Sequence, residues 1–313
     1  MLRNQTSFQI LFVVLISLCC QPAARAETAS APENPIVFQP TPLPALDSDP
    51  TLTEAQKQFR TRIMIGGAAT ALLWYGSTHW WSDSMSSDFR TVDEGWFGQD
   101  TYTGGADKLG HMYSTYVGTR ILARAFEWAG HDSQSAAWLA AATAWGSMLA
   151  VEIGDGFSSR YRFSKEDLVM NTLGTGLGLL LEKNPELDAM LDFRLMYRPS
   201  SDARRVNQID PIDDHSGQTY LLAIKASGIP SLRRIEPLRY FELALGYGTR
   251  GYEPNLGEER SRHVYYGISL NVAELLGMTA FKNSPGSRTQ RVSNGMLEVL
   301  QIPGTVALAD HKL

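Results

Sequence analysis

Cysteine is nearly absent from this chain. Of its 313 residues only Cys19 and Cys20 carry thiols, and both lie in a segment that reads as a cleavable leader. Arg3 supplies a positive start, Ile10 to Cys20 an apolar run, and Ala24-Arg25-Ala26 the small-x-small pattern of a cleavage site. An apolar run of eleven residues is short for a membrane span, which disfavours an uncleaved anchor. Leu18 and Cys19 precede the two cysteines, where lipid attachment needs a small residue, so cleavage ranks above lipidation. Removal of residues 1–26 leaves no thiol. That excludes a disulfide framework, a cysteine nucleophile and cysteine metal ligands. It suits an oxidising compartment, and the expected location is the cell envelope, periplasmic or membrane-associated.

A block of positive charge is also missing. The formal net charge is −5, and loss of Arg3 and Arg25 with the leader lowers it to −7. With no basic run or aromatic–basic stripe, nucleic acid is excluded as a partner. Long apolar runs are scarce too. A mean hydropathy of −0.18 argues against a protein that is mostly membrane. Ile63 to Trp81 has no Asp, Glu, Lys or Arg over nineteen residues, the lower range for a span. Trp74, Trp80 and Trp81 stand at its end like an interfacial aromatic belt. Gly66, Gly67, Ser77, Thr78 and His79 dilute the run, which fits a buried helix equally well.

Residues 27–52 read as a linker, because six of the fifteen prolines fall between Pro32 and Pro50. Residues 53–185 read as a helical bundle. Thr53 and Gln56 offer a capping box for the first helix. The second covers Ala106 to Gly130, the third Ser135 to Asp155, and the fourth Ser164 to Glu182. Gly174 and Gly178 in the fourth predict close approach of a neighbouring helix. Residues 186–313 read as an irregular linker, to about residue 220, and then a β-rich region. Phe241, Leu243, Leu245 and Tyr247 alternate with other residues, as do Val264, Tyr266, Ile268 and Leu270, which predicts a β-hairpin. The predicted fold class is mainly α: a four-helix membrane-associated bundle with a small C-terminal hairpin or meander.

Chemistry concentrates between Asp107 and Asn171. Three helices each carry two metal- or proton-handling side chains about one turn apart: Asp107 with His111, Glu152 with Asp155, and Asp167 with Asn171. Such spacing puts both members on one helix face, and buried ionisable groups need partners or a cation. Asp107, His111 and Glu152 are the candidate catalytic residues. Asp107, His111, Glu152 and Asp155 are the candidate ligands of a divalent cation. Lys108, Asp155, Arg160, Asp167 and Asn171 are candidate binding residues, with arginine suited to a phosphate head group. The competing reading is structural. Ser164 and Asp167 fit a capping box, Asp107 suits a first helical turn, and Glu152 and Asp155 can pair with Arg160 or Arg162.

Gly105-Ala106-Asp107-Lys108-Leu109-Gly110-His111, Glu152-Ile153-Gly154-Asp155-Gly156-Phe157-Ser158 and Phe163-Ser164-Lys165-Glu166-Asp167, with Asn171 and Gly174, resemble the YfiM-like family. That resemblance covers roughly residues 74–220 and implies a predicted periplasmic lipoprotein of unknown function. A weaker similarity to VanZ-like membrane proteins selects Asp107, Lys108, His111, Glu152, Asp167 and Asn171. Neither family supplies a reaction.

Two functions stand against each other. One is an envelope protein with a polar site that binds a divalent cation or a lipid or phosphate head group and acts on a lipid-linked substrate. The other is an envelope scaffold or assembly factor whose acids are caps and ion pairs. A membrane lipid or lipid-linked envelope component is the candidate partner, and a divalent cation the candidate cofactor. The leader itself makes a first prediction. N-terminal sequencing and intact mass of envelope fractions give a mature chain starting at Glu27; a lipid-bearing start at Cys19 or Cys20 contradicts cleavage.

Overall fold

Thr53 caps the first described helix as its sequence requires. Its hydroxyl accepts from the Gln56 amide while Gln56 reaches back to the Thr53 amide, and this reciprocal cap starts α1, Glu54–Tyr75. The computed structural model describes residues 52–207, 209–252 and 257–313; the leader and nearly all of the proline-rich linker lie outside them. A π-helical turn, Gly76–Trp80, ends α1. Three further long helices follow: α2 (Ala106–Trp128), α3 (Ser133–Gly156) and α4 (Lys165–Lys183). Asp132 caps α3 through the Ser135 amide and Ser164 caps α4 through the Asp167 amide.

Small residues set how near these helices come. Ala136 and Ala140 of α3 are buried with Ala123 and Phe126 of α2. On α4, a Cβ added at Gly174 would lie 1.9 Å from the Met112 carbonyl oxygen, and one at Gly178 would lie 2.9 Å from Thr119 Cβ. The backbones of α2 and α4 therefore approach where only glycine fits. Gly176 between them has nothing within 4 Å.

The predicted fold class is wrong in its second half. A short helix α5 (Pro185–Met190) leads into a five-stranded antiparallel sheet in the order β3-β4-β5-β6-β7. Its strands are β3 (Leu191–Tyr197), β4 (Gln218–Lys225), β5 (Phe241–Arg250), β6 (Ser261–Leu270) and β7 (Val306–Lys312). A separate two-stranded parallel pair joins β1 (Thr91–Val92) to β2 (Phe163–Ser164). The expectation of a four-helix bundle with a small hairpin fails because β3 is masked by charge and the segment up to residue 220, which runs into β4, reads as a linker. Asp192 and Arg194 of β3 make their segment read as a polar linker, yet both are buried. Arg194 Nη1 meets Glu242 at 2.6 Å, and Asp192 meets Lys225 at 2.5 Å. The run from Ile63 to Trp81 is split between α1 and the π turn, and α3 is the one described helix long and apolar enough to span.

Gln301 binds both sides of the sheet: its amide donates to the Leu195 carbonyl of β3, and its side chain donates to Ser269 of β6. The sheet therefore curls, with Ala223, Ala244, Gly246 and Gly267 on the inner face beside Arg194 and Glu242. The outer face of β3 and β4 packs on the helices through Phe193 and Tyr220 against Tyr116, Val117 and Leu181. Arg120 of α2 adds a buried anchor, reaching Glu182 at 3.1 Å, Asp188 at 2.6 Å and Glu298 at 3.2 Å. Glu298 belongs to α6 (Arg288–Val299).

The glycine spacing gives opposite outcomes for one substitution. Gly174→Ala should cost about 1–3 kcal/mol, because the added methyl meets backbone. Gly176→Ala should gain about 0.5–1 kcal/mol, because it faces open space in a helix. Thermal unfolding of the two variants checks this, and equal shifts would contradict the close α2–α4 approach.

Candidate functional site

Asp107 and His111 lie one turn apart on α2, Glu152 near the end of α3, and Asp167 and Asn171 one turn apart on α4. The α2–α4 approach and the alanine face of α3 bring all five together. His111 is the hub. Its Nδ1 lies 3.4 Å from Glu152 Oε1 and 3.3 Å from Asn171 Oδ1. Its Nε2 faces the opposite way, 3.7 Å from Asp107 Oδ1 and 3.9 Å from Asp167 Oδ2. Asn171 is oriented in turn, donating from Nδ2 to Glu152 Oε1 at 3.4 Å. The second oxygen of Glu152 accepts from the Ser164 amide at 3.5 Å.

Lys108 closes the other side. Its ammonium pairs with Asp167 at 2.7 Å, with Asp107 at 3.3 Å and with Glu94. Sequence reasoning missed Glu94, which lies in the loop before α2 where no periodicity marks a face. The available clue was Lys108, a buried cation that needs acids around it. Trp81 was missed in this role as well: its indole N–H donates to Asp155 Oδ1 at 2.7 Å.

Not every candidate joins the hub. Asp155 is held by Trp81 and stays outside the tight group formed by Asp107, His111 and Asp167, whose donor atoms all lie within 4.8 Å of one another. Arg160 is exposed on the turn after α3, with its guanidinium over the Tyr161 ring. The structural alternatives are equally specific. Neither Arg160 nor Arg162 forms an ion pair with Glu152 or Asp155 among the described residues. The α4 cap uses the Ser164 hydroxyl, so the Asp167 carboxylate remains available to Lys108 and His111.

Charge sets the protonation. Burial opposes a charged imidazole, but Asp107, Asp167 and Glu152 outweigh it and push His111 up to about 9. Burial pushes Glu152 up to about 8 against the pull of His111. Asp155 rises to about 6, again through burial, despite its bond from Trp81. Burial also works to raise Asp107, yet the charges of His111 and Lys108 hold it below the usual range. A proton on His111 is thus the counter-charge of the cation-free centre, and a bound metal is the natural substitute for it.

The signs of the His111 and Glu152 shifts agree. A raised histidine stabilises the fold fully below its unfolded value of 6.5, and loses that contribution as pH climbs through about 9. A raised carboxyl likewise favours the folded state at low pH and loses its contribution between 4.5 and about 8. Chelator-treated protein should therefore lose stability as pH rises from 6.5 to 9, and His111→Gln should flatten that slope. Denaturant titrations across the range check it; a slope of opposite sign, or one unchanged in the variant, contradicts it.

Residues 93–183 match a family model described as "Predicted periplasmic lipoprotein (DUF2279)". That is less than half of the chain, but it includes Glu94, Lys108 and all of the hub residues. No curated protein and no solved structure matches the chain. The family description supports an uncharacterised periplasmic lipoprotein family without confirming the YfiM-like or VanZ-like names. It agrees with the expected location: this is a cell-envelope protein.

Proposed function

We propose that the hub is a divalent-cation centre in an envelope protein. Asp107, His111 through Nε2, and Asp167 would be the ligands, and Glu152 would fix the ring from behind. The observation that carries this reading is the spacing around His111. Its four oxygen neighbours stand at 3.3–3.9 Å, longer than ordinary hydrogen bonds. In the Arg120 network the guanidinium stands 2.6–3.2 Å from its three carboxylates. An ion about 2.0–2.2 Å from each donor fits gaps of this size. A carboxylate on the far ring nitrogen is the usual support of a metal-bound histidine.

One nitrogen with carboxylate oxygens favours Zn²⁺ or Mn²⁺ over Ca²⁺ or Mg²⁺, which prefer all-oxygen sites. Three protein ligands leave positions open for water or a phosphate oxygen. That opening is how such a centre would act on a lipid-linked substrate. A phosphate head group alone is disfavoured. Glu94, Asp107, Glu152, Asp155 and Asp167 outnumber Lys108 and His111, so an anion needs an intervening cation.

A scaffold remains the second reading, favoured by the way Lys108 already pairs with three acids. Calorimetry and metal analysis of purified protein with Zn²⁺ and Mn²⁺ separate the two. The expected results are one equivalent bound, a raised melting temperature, and loss of both in His111→Gln and Asp167→Asn. Glu152→Gln should weaken binding about 10–100-fold while the fold persists. No cation effect on any of these proteins, with strong destabilisation of the variants, would establish the scaffold instead.

A further inference from the structure

The outer face of the sheet is covered on one side only. Helices pack on β3 and β4, whereas β5 and β6 present cross-strand apolar pairs to solvent: Phe241 with Leu270, Leu243 with Ile268, and Leu245 with Tyr266. The four central side chains are half exposed or more, with Leu243 at 58%, Leu245 at 50%, Tyr266 at 54% and Ile268 at 53%. Alternation normally turns such residues inward. Here the inward positions are taken by the small residues and the Arg194–Glu242 pair of the curled face. Polar inside and apolar outside is the inverse of a water-facing sheet. Exposed contiguous apolar surface of this kind marks a contact.

Charge selects the occupant. The chain is acidic, with a formal net charge of −5, but the segment that leads into β5 carries Arg233, Arg234 and Arg239 against one acid, Glu236, and Arg239 pairs with Glu274. Arg233 and Arg234 have no carboxylate within 4.0 Å among the described residues, and they stand beside the exposed side chains of Ile235 and Leu238. Phe241, at the start of β5, follows directly. The six paired side chains offer one hydrogen-bonding group, the Tyr266 hydroxyl. A directional protein interface needs more, and hydrocarbon needs none. Apolar side chains with a basic margin fit an anionic bilayer surface, where each arginine near the head groups adds attraction. We propose that the outer β5–β6 face docks on the anionic phospholipid surface of an envelope membrane, lying on the bilayer without crossing it.

The experiment places a photoreactive benzophenone side chain at Tyr266 of the full-length chain. Glu186, an exposed position on α5 and not on the β5–β6 face, serves as the control. Vesicles of phosphatidylcholine, with or without phosphatidylglycerol, are then irradiated with each protein. The expected result is a lipid adduct at position 266 at least tenfold above the control on phosphatidylglycerol vesicles. Arg233→Gln with Arg234→Gln should reduce it to the yield seen on phosphatidylcholine alone. Yields that ignore phosphatidylglycerol overturn the anionic-surface assignment. So does a cross-linked dimer, a cross-link to residues 27–51 of the same chain, or no adduct above the control. None of these outcomes depends on whether the His111 centre binds metal.

Discussion

The separation of α2 from α4 governs the rest of the structure. Gly174 and Gly178 let the two backbones meet at the level of Met112 and Thr119. A side chain at either position would push Asp167 and Asn171 away from Asp107 and His111. The same approach fixes the register of α4 against α2, so each polar pair faces the other across the seam. Burial supplies the remaining constraint: with Glu152 and Asp167 almost fully covered, their charges must be answered within a few ångströms.

Two buried ionic clusters in this fold answer that demand differently. Around Arg120 the guanidinium fork reaches three carboxylates at hydrogen-bond distance and ties α2 to α4, α5 and α6. Around His111 one small ring stands among four oxygens at longer spacing, and Lys108 engages only the outer side of Asp107 and Asp167. The first arrangement holds helices together. The second sets Nε2 3.7–3.9 Å from Asp107 and Asp167, with Asp107 and Glu94 partly exposed to solvent. That difference, more than the acid content, separates an anchor from a candidate site.

Much of the helical half was legible in the sequence, because its signals are local. The Thr53–Gln56 box, the Asp132 and Ser164 caps and the glycines of α4 each act within a turn or at one contact. The grouping of Asp107, His111, Glu152, Asp167 and Asn171 followed from one-turn spacing on three helices. What escaped depends on distant partners. Asp192 and Arg194 disguise β3 because Lys225 and Glu242, which satisfy them, lie more than thirty residues away. Glu94 reaches Lys108 from an irregular loop, and Trp81 reaches Asp155 across 74 positions. The small hairpin expected from β5 and β6 was read with the correct alternation. Its extension by β3 and β7 was hidden by the charged residues in those strands, and β4 was hidden by the polar segment that runs into it.

The central claim is that His111 exchanges a proton for a metal at Nε2 while Nδ1 stays turned toward Glu152. Nitrogen-15 NMR of the histidine ring, recorded at neutral pH with and without Zn²⁺, reads this directly. The account predicts a doubly protonated His111 ring without metal, since its pKa is pushed up to about 9. With one equivalent of Zn²⁺ it predicts a neutral ring, bound through Nε2 with its proton on Nδ1. A His111 ring that keeps both protons in excess Zn²⁺ would contradict the claim.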